Sequence, residues 1–370
     1  MPSLRPSTRD THIIDQWIDS AGVNHAIVDV WQDNLEEEMA TIQELINTYT
    51  FIAMDTEFPG EVYTTPPTTS SGFATYDKVR ANVDQLKLIQ LGITLTTKDN
   101  KLPQGKCSWQ FNFEFDKDVD RINKESLTLL SDSGFNFDTH KREGIAPFHF
   151  AELLTISGLV LNDNITWVTF QAGYDFAYLL KMVTGRNLPI MLHDFNTHLK
   201  EWFPRVYDIR IITDRKGSLN SLAAFFNIVR HGTKHQAGSD SLLTSETYFR
   251  VAEQRFHNKR EDISYLNRIA GIDDDFDHYP YAPTKFAGTK SHYATTQIPP
   301  GAGGSPNPFN PTRSMAHQQL QYGFSAPMFI PQHPIQSQQY MQMMPGQPTF
   351  GQYGYASVPP PNYANPQMPM

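Results

Sequence analysis

The sequence predicts an α/β domain, a mixed central sheet flanked by helices, followed by a disordered C-terminal tail. Three observations carry that expectation. Three strand-like segments come first, at 51–58, 86–96 and 108–115. Helical and strand periods then alternate as far as about residue 270. Near residue 280 both periods stop and the composition changes. Strands followed by alternating helices and strands pack in layers, with helices covering the faces of a sheet.

Taken in order, residues 1–24 read as a leader, and "SLRPSTRD" within them has no period. "NLEEEMATIQELINTY" (34–49) sets Leu35, Met39, Ile42, Leu45 and Ile46 at helical spacing. Its acids fall near the start, where the helix dipole favours them. "FIAMDTEF" (51–58) and "LKLIQLGITLT" (86–96) read as buried strands. Between them "TTPPTTSSG" (64–72) has the composition of a loop. "SWQFNFEF" (108–115) puts Trp109, Phe111, Phe113 and Phe115 on one face of a third strand. Helices are expected near 123–131 and 147–158. "TWVTF" (166–170) is a strand, and "GYDFAYLLKMVTG" (173–185) is a helix ended by Gly185. After "VYDIRII" (206–212), helices are expected near 218–228, 239–256 and 260–270.

The tail separates by composition. Of the 26 prolines, 17 lie at or after Pro280, among Gln, Met, Tyr and Gly. Such a segment buries too little to offset its ordering entropy. Residues 280–370 are therefore expected to be a disordered solvating tail, or a segment that is sticky toward partners. The preceding 25–279 form one folded domain, with enough apolar residues for a sizeable core.

Charge and cysteine content narrow the function. The whole chain carries −9, and its first 279 residues hold 27 basic and 39 acidic groups, a net −12. That is a poor footprint for broad charge neutralisation of nucleic acid, so any such role needs a local site, bound cations or a recruiting partner. No apolar run reaches membrane-span length, and no basic-then-apolar start resembles a secretory signal. Cys107 is the sole cysteine, which points to a reducing compartment, cytoplasm or nucleus.

Three places carry candidate chemistry. On a strand, positions i and i+2 face one side, so Asp55 and Glu57 project together. Two such carboxylates are either solvated at a strand end or share a cation, for which hard oxygen ligands suit Mg²⁺ or Mn²⁺. Asp175 opens an amphipathic helix in "TFQAGYDFAYLL". There it is either a dipole-favoured acid or a working carboxylate. In "HQAGSDSLL" (235–243), Asp240 lies near a helix start, five residues after His235. Gly238 between them permits a loop that folds His235 back toward the acid. A histidine of ordinary pKa suits a general base near neutrality. His231, close by, is a competing candidate.

The order of these signals carries more than any one of them. Asp-x-Glu on a strand, then Asp in a Tyr-Asp helix start, then His-x₄-Asp resembles the DEDD exonuclease superfamily in its histidine subclass. "FIAMDTEFPG", "LKLIQLGIT", "SWQFNFEF", "AGYDF" and "HQAGSDSLLT" together resemble the Caf-type (Pop-type) poly(A) deadenylases, from about Ile27 to Gly271. The resemblance implies an RNase H-like fold. It implies a 3′→5′ exoribonuclease that shortens mRNA poly(A) tails, releases 5′-AMP and serves as a catalytic subunit of the CCR-NOT complex. It implies Asp55, Glu57, Asp175 and Asp240 as ligands of two divalent ions, Mg²⁺ or Mn²⁺, and His235 as general base. Two ions about 3.5–4 Å apart clamp the attacking and leaving oxygens of a phosphodiester. Phe58, beside the ligands, is the candidate for stacking on the RNA, with core packing as its other reading. The implied partners are the poly(A) 3′ end, the NOT scaffold, a leucine-rich-repeat CCR-type deadenylase and BTG/Tob-type adaptors, and the implied locations are cytoplasm and nucleus. Departures are Gln171, where the family usually has His, and the 61–78 loop, which is hard to align. Asp208 and Asp84 are also family-like, Asp208 as a supporting carboxylate or a strand-end polar group and not a ligand.

Overall fold

A computed structural model describes residues 12–63, 74–256 and 261–272. The expected tail, residues 3–10 and the 64–72 loop lie outside the described residues. One mixed sheet organises the rest. Its strands are β1 (Ile13–Ile18), β2 (Asn24–Val30), β3 (Phe51–Glu57), β4 (Gln90–Thr96), β5 (Gly105–Asn112), β6 (Thr166–Thr169) and β7 (Val206–Asp208). Their spatial order is β1-β2-β5-β4-β3-β6-β7. β1–β2, β5–β4 and β4–β3 are antiparallel pairs, and β2–β5, β3–β6 and β6–β7 are parallel.

The helices are α1 (Leu35–Leu45), α2 (Ala74–Val83), α3 (Lys124–Asp132), α4 (Phe137–Glu143), α5 (Pro147–Ile156), α6 (Gly173–Thr184), α7 (Leu192–Trp202), α8 (Ile209–Ile212), α9 (Leu219–Phe225) and α10 (Ala237–Arg255). Strand alternation divides β3 between two cores. Ile52 and Met54 join the larger one, with residues of α1, α5, α6 and α7. Phe51 and Ala53 join Tyr248, Phe249 and Ala252 of α10 on the other side. β3 is paired on both edges and covered on both faces, which explains its unbroken apolar run.

Several expectations change. The supposed leader contains β1, which pairs with β2. Its weak exposed pattern, with Ile18 on the surface, hides it from a periodicity reading. Helix α2 takes over part of the 61–78 loop from Ala74 onward. Helices α4 and α7 were not foreseen. "VYDIRII" divides into β7 and the short α8, because the Asp208 side chain accepts the Arg210 N–H and caps a helix there. The helix expected at 260–270 is only a 3₁₀ turn at Ile263–Tyr265. Leu266 caps it in extended conformation, and Asn267 follows in the left-handed region, φ 57°. Its backbone N–H then bonds the Val206 carbonyl and its side chain the Val206 N–H, closing the edge of β7. Gly185 ends α6 at φ 61°, as its position suggested.

Candidate active site

The site forms at the C-terminal end of β3. Asp55 pairs with Gly92 and Glu57 with Gln90 across the β3–β4 ladder. A Cβ on Gly92 would stand 1.8 Å from the Ala237 carbonyl oxygen. The missing side chain is what lets the first turn of α10 lie directly on the sheet beside Asp55. The sheet also caps that helix. Gln90 Oε1 accepts the Ala237 N–H at 2.7 Å, and Gln110 Oε1 accepts the Gly238 N–H at 3.2 Å. Gln90 is held in turn by donating to Asn112 Oδ1 at 2.7 Å. Orphan donors of a buried helix start are thereby satisfied without a capping side chain from the helix itself.

Asp240 emerges from this first turn with both oxygens held. The His235 backbone N–H donates to Oδ2 at 2.9 Å, and Arg230 Nη2 donates to Oδ1 at 2.6 Å. Arg230 also reaches Asn220 Oδ1 at 2.7 Å and Ser239 Oγ at 2.8 Å. The fold-back of the loop rests on His235 itself, which adopts φ 60°. Gly238, assigned that task from the sequence, sits inside α10 and serves close packing instead. Its Cβ position lies 3.0 Å from Gln110 Cβ and from Ile27 Cγ2. His235 Nδ1 lies 4.0 Å from Glu57 Oε1. Polar atoms of Glu57, His235 and Asp240 fall within 4.8 Å of one another.

Asp175 arrives from the opposite layer. It stands in the first turn of α6, and Thr56 Oγ1 donates to its Oδ1 at 2.7 Å. Thr56 points to the face of β3 away from Asp55 and Glu57. The end of one strand thus gathers carboxylates from above and below the sheet.

Electrostatics set the chemistry of this group. Burial pushes the Glu57 carboxyl up to about 8, and the Asp240 and Asp175 charges add to it. Asp55 is raised well above the usual range, by burial first and then by Asp240, Asp175 and Glu57, with Arg230 pulling the other way. Asp175 is raised to about 6 by burial, against the bond from Thr56. Desolvated like charges this close call for shared protons or for cations among them. An oxygen-rich donor set suits Mg²⁺ or Mn²⁺, so the residues present fit such ions. His235 is shifted below the ordinary imidazole value by burial and by Lys234 and Arg230, against Asp240. It is neutral at pH 7 and able to take a proton.

The remaining candidates also find places. Phe58 is half-buried, stacked on Tyr174 with ring centres 4.9 Å apart and tilted against Tyr178 at 5.4 Å. His231 stacks on Trp17 of β1 at 4.1 Å, which makes it part of the edge packing. Asp208 is buried and accepts four backbone N–H groups, from Gln171, Ala172, Arg210 and Ala270, at 2.8–3.1 Å. Of the two readings of Asp208, a supporting carboxylate or a strand-end polar group, these bonds fit the first. Asp84 accepts the Leu188 N–H at 2.9 Å, a tie between loops. Gln171 is exposed, with φ 60°. The Cys107 thiol is buried and pushed up to about 12, unsuited to nucleophilic work. Sequence reasoning missed Arg230, Thr56, Gln90 and Gln110. Gly92 did leave a signal, an isolated glycine inside an apolar strand.

A family model described as CAF1 family ribonuclease matches residues 30–152 and 153–231. The poly(A) ribonuclease pop2 of Schizosaccharomyces pombe is 43% identical over 252 residues, 66% of this chain and 75% of that protein. The structure of S. pombe Pop2p in its Mg²⁺- and Mn²⁺-bound form matches with a TM-score of 0.63 at 42% identity, over 66% of this chain and 99% of that one. A chain in the structure of the yeast NOT1 MIF4G domain co-crystallised with CAF1 matches with a TM-score of 0.57 at 33% identity, over 66% of this chain and 96% of that one. The RNase H-like architecture expected from the sequence is the one observed. The chain belongs to the CAF1 family of ribonucleases.

Proposed function

We propose that this ribonuclease is a 3′→5′ exoribonuclease that shortens poly(A) tails and releases 5′-AMP, with Mg²⁺ or Mn²⁺ held by Asp55, Glu57, Asp175 and Asp240. One observation carries the reading. Glu57, His235 and Asp240 bring polar atoms within 4.8 Å of one another at one strand end, and the charges of Asp55 and Asp175 are felt by the same group. Two such ions, when bound, supply positive charge on both sides of a scissile phosphate. His235 takes the proton of the attacking water. Arg230 and the His235 backbone keep Asp240 fixed, and Thr56 keeps Asp175 fixed, so the carboxylates need no rearrangement. Phe58, already stacked on Tyr174, offers its remaining surface to the terminal base.

The match to Pop2p with bound Mg²⁺ and Mn²⁺ supports the ion choice, and the NOT1 co-crystal match supports a NOT-type scaffold as partner. We extend the proposal to a CCR-type deadenylase and BTG/Tob-type adaptors as further partners, and to cytoplasm and nucleus as locations. Fractionation of cells expressing a tagged chain checks the last point.

The test uses the purified full chain and 3′-adenylated RNA. Divalent-ion-dependent shortening from the 3′ end, 5′-AMP as product and a loss of about 100- to 1,000-fold in rate with Asp55→Ala, on the order of an essential electrostatic group, are expected. Absence of shortening, or full activity of Asp55→Ala, refutes the proposal. Equal cutting of A, U and C homopolymers and of DNA would replace poly(A) with a broader substrate.

A further inference from the structure

Two of the ligand candidates have an aromatic neighbour in sequence, Phe58 after Glu57 and Tyr174 before Asp175. The two rings meet, stacked at 22° with centres 4.9 Å apart. One aromatic contact therefore joins the end of β3 to the start of α6, beside the Thr56–Asp175 hydrogen bond. Both rings are half-buried and pack against the main core. A tyrosine in that setting keeps its ring on apolar surface and its hydroxyl at the edge. Whatever fastens the hydroxyl sets the tilt of the ring.

The fastening is Glu61. Tyr174 Oη donates to Glu61 Oε1 at 3.0 Å. Lys78 of α2 pairs with the same carboxylate, its Nζ 3.0 Å from Oε1 and 3.2 Å from Oε2. A hydrogen bond to an ionised acceptor is of the stronger kind. The segment that carries Glu61 is itself tied down. Gly60 turns the chain at φ 76°, with its N–H on the Phe58 carbonyl at 2.8 Å. Asn123 Nδ2 donates to the Glu61 carbonyl at 3.1 Å. Asn82 Oδ1 accepts the Val62 and Tyr63 N–H groups at 2.8 and 2.9 Å, while its Nδ2 donates to the Lys78 carbonyl at 2.9 Å. One buried asparagine thus links the backbone beside Glu61 to the turn of α2 that carries Lys78. Folding gains little from the ion pair, because both side chains are about one-third exposed. Its consequence lies in the ring it holds.

We infer that Glu61, braced by Lys78, is a positioning residue for RNA binding: it holds Tyr174, and through that ring Phe58, at the tilt on which the terminal base stacks. The inference rests on the reading above that Phe58 takes that base. A platform whose tilt is set beforehand costs less ordering when the strand arrives. Loosening Tyr174 therefore weakens capture of the strand end and leaves the chemical step alone.

The experiment uses oligo(A) RNA ending in 2-aminopurine, a fluorescent adenine whose emission falls when it stacks. Binding is measured with Mg²⁺ on the full chain carrying His235→Gln, which keeps the four carboxylates and slows cutting. Phe58→Ala should abolish the quench. Tyr174→Phe, which keeps the ring and loses the hydroxyl, and Glu61→Ala should each lose a large part of it. Glu61→Gln, which keeps an acceptor, should retain most. With His235 restored, Tyr174→Phe and Glu61→Ala should each raise KM about 3- to 10-fold, the range of one hydrogen bond, with kcat little changed. The two combined should do no more than either alone, because one contact is removed twice. Quench and KM untouched by both substitutions overturn the inference. So does a fall in kcat at constant KM, which marks a purely structural role. Additive losses in the double variant overturn it too, since Glu61 would then act on the RNA directly. A quench that survives Phe58→Ala sinks the stacking reading and this inference with it. Protein that shows the whole quench pattern but cuts no RNA would sink the nuclease reading and leave the positioning role standing.

Discussion

Thr56 and His235 show how single residues set this site. Thr56 sits between two ligand candidates in sequence, yet its hydroxyl works on the third, Asp175, across 119 positions. Thr56→Val keeps the β-branched shape and strips the donor from a buried carboxylate. Loss of such a supporting bond typically costs 10–100-fold in metal affinity or activity. A drop of that size in the Mn²⁺ activation curve, with the fold intact by circular dichroism, is the expected result. For His235, burial and the neighbouring Lys234 and Arg230 hold the ring below its ordinary pKa. The proton-accepting form therefore dominates above that value and is lost as pH falls through it. The rate should fall on the acid side, with a midpoint below about 6.5. His235→Gln should remove that acid limb and leave a low, flat profile. His235, Asp55 and Glu57 were legible in the sequence because ionisable groups at strand and helix ends are conspicuous. Thr56 and Arg230 were not, because a threonine in a strand and an arginine in a loop are common and their partners are remote.

Strand β4 and helix α10 decide whether those residues meet. Gly92 is the contact point, where strand backbone and helix start lie closer than any Cβ allows. Gly92→Ala has to push Ala237 off the sheet. A destabilisation of about 1–3 kcal/mol or more, as for other overpacked cores, should show in urea unfolding. Activity should fall further than stability explains, since Asp240 and His235 ride on the displaced element. Strand β1 braces the same region from the far edge. Asp15 accepts the Gly232 N–H at 2.7 Å, and Trp17 stacks on His231, so the 230–235 loop is held at its midpoint. The sequence reading placed these residues in a leader because an edge strand half open to solvent shows no clean alternation. Long periodic elements such as α1, α6 and α10 were read to within a few residues, since burial of one face dictates their pattern.

Across the whole molecule, the site stores charge strain that bound cations relieve. Glu57 has an ordinary value of 4.5 and is raised to about 8 in the fold, and Asp55 and Asp175 move the same way. An acid whose folded pKa is raised binds more protons folded than unfolded. Stability of the ion-free protein therefore falls as pH rises from about 4.5 toward 8. Mn²⁺ should stabilise it, and more at pH 8 than at pH 6. At 100 times its dissociation constant a ligand contributes about 2.7 kcal/mol, or roughly 5–10 °C of Tm for a domain this size. Calorimetry with chelator and with Mn²⁺ at the two pH values measures it, and an equal shift at both would contradict the electrostatic account. The sequence alone determined the layered α/β class, the strand that ends in Asp55 and Glu57, and the identity and order of the chemical groups. Local periodicity and residue type carry that information. Tertiary structure alone decided that Asp175 reaches β3 from the other layer, that sheet glutamines cap α10, and that Arg230 clamps Asp240. Those facts depend on contacts between segments far apart in the chain, which leave no pattern within any one of them.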